Sequence, residues 1–435
     1  MRLRTFKASD GDCLLLSSGD GRHMLVDGGR SDTFREHVAQ SVSDCGTLDV
    51  LCISHIDADH ITGVLALLDD EVDWRVHLAE ERRRPSGRPA APKPSSPKPP
   101  KILDVWHNGF GDQLDKVAGD VRNMLSLAAE SQLSLANPDS IPRQHFLADL
   151  ALGEKQAITV SHRLGSEQLG IPLNGHFGGK LILAGSANSV FTLGSATLTV
   201  IGPFEEDVEK LRVQWQEWLR DNARVIDELR ADMDRDAAKM QLSESDLFLR
   251  AMRDIASAPG RLGDRESVTT PNLASIMILA EENGRSVLLT GDAAGQDLVK
   301  GLKKARRLDR RGCLHVDVLK VQHHGAGANI DSDFVKAVTA DHYVFCGNGS
   351  HHNPEEEVVR LIAESRLDPA RRSPHKKAAD NFTLHFNHSS ANKNTRPRTA
   401  HMKKIESLAA TLEARSRGQM TASFHAGSFF DILLP

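Results

Sequence analysis

No run of apolar residues in this 435-residue chain reaches the length of about 18 that a membrane-spanning helix needs. The opening residues, Met1-Arg-Leu-Arg-Thr-Phe6, lack the apolar stretch of a secretory signal. The five cysteines (Cys13, Cys45, Cys52, Cys313, Cys346) are odd in number and contain no CxxC pair. That argues against a disulfide framework or a zinc finger and fits free thiols in a reducing compartment. The expectation is a cytoplasmic protein without a membrane partner. A P-loop, a Rossmann glycine pattern and a serine nucleophile elbow are all missing, which removes the common nucleotide-binding and serine-hydrolase classes. No internal repeat is evident. The net charge of −5 shows that the surface is not uniformly basic.

What is present is enough for a packed core, with 40% hydrophobic and 26% charged residues. Positive charge is grouped at Arg82-Arg83-Arg84, Lys303-Lys304-Ala305-Arg306-Arg307, Arg371-Arg372 with Lys376-Lys377, and Lys393 through Lys404. Such groups can hold a polyanion, although each one alone reads more simply as solvated surface. Cys13–Ser17 and His23–Asp27 read as strands joined by Gly19-Asp20-Gly21, and residues 31–45 as a helix. Residues 81–101 are proline-rich and predict an irregular surface loop. Residues 205–260 are charged, rich in helix formers and nearly free of glycine and proline, and predict a helical insertion. That insertion is a candidate surface for self-association or for a protein partner. Strands follow at 275–280 and 286–290 around an Asn283-Gly284 turn, then at 315–322 and 342–346, with a helix after Pro354.

The densest chemistry is His55-Ile56-Asp57-Ala58-Asp59-His60, directly after the apolar run 48–54. A buried strand feeding such a cluster places it at a strand's C-terminal end, where α/β proteins keep their sites. Two carboxylates and two imidazoles this close are costly to bury without a metal. If the stretch is an extended turn, His55, Asp57 and Asp59 share one side and His60 faces the other, and a helix can begin near Gly63. Three other segments repeat the pattern of an apolar strand, a polar residue and glycine. They are Leu25-Val26-Asp27-Gly28-Gly29, Leu289-Thr290-Gly291-Asp292, and Lys320-Val321-Gln322-His323-His324-Gly325.

Together with Gly11-Asp12-Cys13 and Asn272-Leu273-Ala274-Ser275, these words resemble the metallo-β-lactamase superfamily. More closely they are similar to the soluble domain of the DNA-uptake protein ComEC and its stand-alone relatives. Ile171-Pro172-Leu173-Asn174 with Phe177-Gly178-Gly179 also looks like a segment of those relatives. The resemblance implies an α/β, four-layer αββα sandwich over residues 1–365, with residues 366–435 as a basic segment completing it. It implies two divalent ions, zinc or manganese, held by His55, Asp57, Asp59, His60, Asp292 and His324. Asp27 and Asn272 would support those ligands, and Asp59, His323, His351 and His352 are the candidates for catalysis. Asp57 stands where many members carry histidine, which makes the site harder and admits manganese beside zinc. A middle histidine of the superfamily has no clear counterpart: His176 stands in order but not in context, and His107 closes a strand that could line the cleft.

The resemblance further implies a hydrolase that cleaves phosphodiesters by attack of a metal-bridging hydroxide. With the basic clusters it favours a nuclease acting on DNA or another nucleic acid. Two alternatives stand beside it. One is a small-molecule phosphoester or lactone hydrolase. The other is a non-catalytic interaction partner with a structural metal site.

Overall fold

Apolar runs at both ends and in the middle of the chain pair into two sheets. The computed structural model describes residues 1–84, 89–108, 160–161, 163–166, 168–210, 264–265 and 268–435. In chain order its strands are β1 (Arg2–Phe6), β2 (Leu14–Ser17), β3 (His23–Val26), β4 (Thr47–Leu48), β5 (Val50–Cys52), β6 (Lys101–Ile102), β7 (Val105–Trp106), β8 (Val190–Leu193), β9 (Ala196–Gly202), β10 (Met277–Glu282), β11 (Arg285–Leu289), β12 (Leu314–Lys320), β13 (Val338–Phe345), β14 (Phe382–Phe386), β15 (Met420–Phe424) and β16 (Phe429–Leu433). One sheet runs β16-β1-β2-β3-β5-β7 and the other β15-β14-β13-β12-β11-β10-β9-β8, with β4 and β6 forming a small ribbon.

Three apolar layers hold these sheets. Leu14, Leu16, Met24, Val50 and Cys52 face Val200, Ile278, Val287, Val318 and Val344 between the sheets. On the outer face of the first sheet, Leu15, Leu25 and Leu51 pack on Phe34, Val38, Ile61, Val64 and Leu68 from helical segments. On the outer face of the second, Leu288, Leu319, Tyr343 and Leu384 pack on Leu298, Phe334, Val359, Ile362, Ile405 and Leu412. Helix, sheet, sheet and helix form an αββα sandwich, the α/β architecture expected. Because the central strands are apolar on both faces, they suit parallel pairing under helices.

Parallel register positions the site. Val26 pairs Cys52 and Cys52 pairs Trp106, so Asp27, the 53–55 segment and His107 leave the first sheet at one edge. In the second sheet Leu288 pairs Leu319 and Lys320 pairs Val344, so Asp292, His323 and His324 leave at C-terminal strand ends as well. The two-residue turn between β10 and β11 has φ of 51° at Asn283 and 78° at Gly284, the left-handed pair this hairpin requires.

Local structure departs from the sequence expectation in several places. The run 48–54 is not one strand: it breaks at Asp49, whose carboxylate accepts the His23 backbone N–H at 2.9 Å. The helix expected near Gly63 starts earlier and spans Ala58–Arg83. Asp57 is its extended N-cap (φ −65°, ψ 144°), its carbonyl accepts the N–H groups of His60 and Ile61, and Asp59 lies in the positive first turn. His55 and Asp57 are therefore extended, while Asp59 and His60 are helical, so the alternation of three side chains on one strand is not realised. Gly63 instead serves close approach: a Cβ there would lie 2.0 Å from the Gly28 carbonyl oxygen. The helical stretch after Arg30 covers residues 31–43, with Phe34–Val38 wound as a π-helix.

Residues 89–100 form neither helix nor strand and run beside the helix Ala58–Arg83, where the Trp74 indole donates to the Ser96 carbonyl at 3.1 Å. Residues 85–88 of the proline-rich stretch and 211–260 of the helical insertion lie outside the described residues. After residue 366, β14 and β15 extend the second sheet, and β16 pairs antiparallel with β1. No described helix is long and apolar enough to cross a membrane.

Candidate metal centre

Asp292 follows β11 and is 1% exposed. The Ser275 hydroxyl oxygen accepts its backbone N–H at 3.2 Å, and the Asn329 amide donates to its carbonyl at 2.7 Å. Its Oδ2 has four imidazole nitrogens around it: His60 Nε2 at 3.3 Å, His324 Nε2 at 3.5 Å, His323 Nε2 at 3.7 Å and His55 Nε2 at 3.8 Å.

The opposite nitrogen of each ring is tied outward, which fixes the tautomers. The Ser54 hydroxyl donates to Asp27 at 2.7 Å, so it must accept at 3.0 Å from His55 Nδ1–H. His60 Nδ1–H donates to Asp27 at 2.9 Å, and His324 Nδ1–H to Asp12 at 3.1 Å. The Asn329 amide nitrogen faces two carbonyls, so its Oδ1 faces His323 and accepts from Nδ1–H at 2.9 Å. Every Nε2 therefore turns toward Asp292, and in the neutral ring it is the nitrogen that carries the lone pair, the orientation a carboxylate or serine behind a metal-binding histidine enforces. Left-handed backbone at Asp27 (φ 59°), His323 (φ 44°) and His324 (φ 55°) aims these side chains and stores strain at the site.

Carboxylates complete the cluster. Asp59 Oδ2 lies 3.1 Å from His324 Nε2 and 3.8 Å from His60 Nε2, while Asp57 Oδ2 lies 3.6 Å from His55 Nε2. Lys320, fully buried, contacts Asp12 and lies 3.3 Å from Asp292 Oδ1. Burial raises the Asp292 carboxyl, yet His324, His60, Lys320 and His323 hold it well below the usual range. Burial opposes charge on His60, but Asp292, Asp59 and Asp27 raise its pKa well above the ordinary imidazole value. Against burial, Asp292 and Asp12 push His324 up to about 10. His323 behaves differently: burial lowers its pKa, although its side chain is 26% exposed and the others around Asp292 are 6% or less.

These residues fit divalent cations. Five carboxylates (Asp12, Asp27, Asp57, Asp59, Asp292) face one ammonium, Lys320, so with neutral imidazoles four negative charges remain uncompensated, the charge of two divalent ions. The raised imidazole pKa values are the protein's response to that excess. Asp12, His60, Asp292 and His324 each offer a donor atom, all within 4.8 Å of one another. His55 Nε2, His60 Nε2 and Asp57 Oδ1 are buried without a hydrogen-bond partner. Imidazole with carboxylate is a donor set that suits zinc and manganese.

Of the residues singled out from sequence, His55, Asp57, Asp59, His60, Asp292, His323, His324 and Asp27 meet in this cluster. Asn272 is buried beside it, its amide nitrogen 3.5 Å from His323 Nδ1. His351 and His352 are exposed, and among the described residues no contact joins either to the cluster. His352 packs edge-on against His401. The loop reaches the site through Asn353, whose amide donates to the His323 carbonyl at 3.4 Å. Neither histidine caps the following helix, which starts at Glu356 without a side-chain cap. His176 stacks on Trp106, and its Nε2 lies 3.2 Å from the Asn188 carbonyl, away from the cluster.

Four residues of the site were not assigned from sequence: Asp12, Lys320, Asn329 and His107. Asp12 and Lys320 sit inside words already noted, Gly11-Asp12-Cys13 and the strand before His323. Asn329 carries no signal of its own. His107 is 2% exposed just after β7, and among the described residues neither ring nitrogen has a partner at hydrogen-bond geometry. Burial drives its pKa down to about 4, and His55 adds to the fall. His107 is thus a buried imidazole beside His55.

Residues 7–181 match the family model of the metallo-beta-lactamase superfamily. No curated protein matches the chain. Among solved structures it is similar to the metallo-beta-lactamase fold protein YhfI from Bacillus subtilis, at 9% identity and TM-score 0.32, covering 99% of each chain. It is also similar to Zn(2+)-bound PqqB from Methylobacterium extorquens, at 10% identity and TM-score 0.35, covering 100% of each chain. The family match spans residues 7–181, the part of the chain that holds Asp12, Asp27, His107 and the run His55–His60.

Proposed function

We propose that this protein is a metal-dependent hydrolase of phosphodiesters, with a nucleic acid as its favoured substrate. The observation that carries the reading is the convergence of four Nε2 atoms on Asp292 Oδ2, each with its Nδ1 tied outward. His55, Asp57, Asp59, His60, Asp292 and His324, with His107 beside His55, would hold the cations. Divalent cations bound there supply Lewis acidity, offsetting charge that develops on a phosphoryl oxygen and making water more acidic.

The chain's own groups do the rest. Asp27, Ser54 and Asp12 hold three imidazoles in one tautomer, so no reorganisation is needed when cations and substrate arrive. His323, held by Asn329 and the most open of the four rings, presents a neutral Nε2 that accepts a proton or hydrogen bond at the mouth of the site.

The test is hydrolysis of labelled single- and double-stranded DNA and RNA with manganese, zinc or magnesium, beside an Asp59→Ala/His60→Ala variant. Metal-dependent cleavage lost in the variant supports the reading. No cleavage with any metal, while two ions remain bound, removes the nuclease reading and leaves small esters and lactones.

A further inference from the structure

The basic clusters of the sequence are not equivalent in the fold. Arg371 pairs with Glu364 and Asp368, and Arg372 donates to the carbonyls of Arg366 and Leu367. Lys300 pairs with Glu206, Lys304 donates to the Ala184 carbonyl, and Arg307 pairs with Glu281. The cluster on the helix Arg396–Arg415 differs. Lys403, Lys404 and Arg415 line an open groove of about 650 Å³ with Arg360 and Glu356 of the helix Glu356–Leu367. Among the described residues none of these four cations has an ion pair or a side-chain hydrogen bond.

We propose that this groove binds the phosphate backbone of a nucleic acid strand and leads it to the metal centre. The proposal rests on the phosphodiester reading for its choice of ligand. Four cations against one carboxylate leave a strong positive excess in a concave surface. Met402, Ile405, Ala409 and Leu412 of the tail helix are buried, and Leu408, 8% exposed, is the one apolar side chain among the groove's lining residues, too little to anchor a lipid surface. Lys403, Ser407, Thr411 and Arg415 lie at i, i+4 steps, each advancing about 6 Å along the helix, a stride like that between phosphates. Ser407 and Thr411 donate to carbonyls of their own helix, so the cations make the phosphate contacts.

The groove is joined to the site. His401 Nε2–H donates to the Pro354 carbonyl at 2.8 Å, and a Cβ on Gly349 would lie 2.7 Å from the Arg398 carbonyl. The same loop holds Asn353, whose amide donates to His323. Both helices of the groove therefore begin at the loop packed against His323 and run outward from it.

The test is fluorescence anisotropy of a labelled single-stranded oligonucleotide with the full chain, under chelating conditions that prevent turnover. Lys403→Gln/Lys404→Gln should weaken binding about tenfold near physiological salt and reduce the slope of log affinity against log salt by about 1.4. Lys376→Gln/Lys377→Gln on the other cluster should change neither, and melting curves check that both variants fold. Unchanged affinity and slope in the Lys403/Lys404 variant would overturn the proposal, as would polyglutamate competing as well as the oligonucleotide. Groove-dependent binding without nucleic acid hydrolysis would uphold the groove and remove the nuclease reading instead.

Discussion

His324 Nδ1 lies 3.1 Å from Asp12 Oδ1, although the two residues are 312 positions apart. The contact joins the turn after β1 to the turn after β12, so it forms only when the two sheets are stacked. It orients His324, and the same carboxylate compensates the buried Lys320.

Asp12→Asn keeps the shape of the side chain and removes its charge. Divalent binding is expected to weaken by about 10- to 100-fold, as when the partner behind a ligand histidine is lost. Titration calorimetry with manganese or zinc measures it, and an unchanged affinity would remove Asp12 from the site.

Lys320→Met deletes the one ammonium among the carboxylates. In metal-free protein it should cost about 3–5 kcal/mol, because Asp12 and Asp292 lose their buried counter-charge. With saturating manganese the loss should shrink, since bound cations supply the charge. Urea unfolding with chelator and with metal separates the cases; equal losses in both would contradict the electrostatic role.

His107→Leu should leave chelated protein as stable as the parent or more so, because a buried imidazole without partners is replaced by an apolar side chain. Metal content should fall at the same time. Melting curves and metal stoichiometry read the two effects. A full complement of tightly bound metal in the variant would exclude His107 as a ligand.

Acid sensitivity has a source outside the metal centre. His342 Nδ1 lies 3.0 Å from His385 Nε2, and His385 Nδ1 lies 3.2 Å from His425 Nε2, a ladder across β13, β14 and β15. Burial, with His342 and His425 beside it, lowers His385 to about 3. Its unfolded value is about 6.5, so the unfolded chain takes up the proton first. The stability linked to the neutral ring is complete above pH ~6.5 and is lost as pH falls toward 3. His385→Gln should remove about 1–2 kcal/mol of the stability difference between pH 7 and pH 5. Denaturant unfolding at both pH values checks this, and an identical pH dependence in the variant would reject it.

Much of this site could be read from sequence because its words are short and local. His55 through His60, Asp292 and His323-His324 each follow an apolar strand and stand beside glycine, so strand-end placement follows from pattern alone. The αββα layering was expected only from the resemblance to a known family, and the strands apolar on both faces agree with it because they need helical cover. The helix start escaped because the first turn is set by Asp57 as an extended cap, which competes with reading the acidic stretch as an extended turn. His107 was placed only as a residue that could line the cleft, because a histidine closing a short strand looks like many others until Trp106 pairs with Cys52.

The sequence by itself determined where most of the candidate ligands stand, since strand ends, glycines and densely placed histidines and aspartates are local properties. Tertiary structure alone decided which nitrogen of each imidazole faces Asp292, which carboxylates neutralise Lys320, and which basic cluster lines a groove. Those outcomes depend on contacts between separate segments, and the ones that join Asp12 to His324 and Lys320 form only when the two sheets stack.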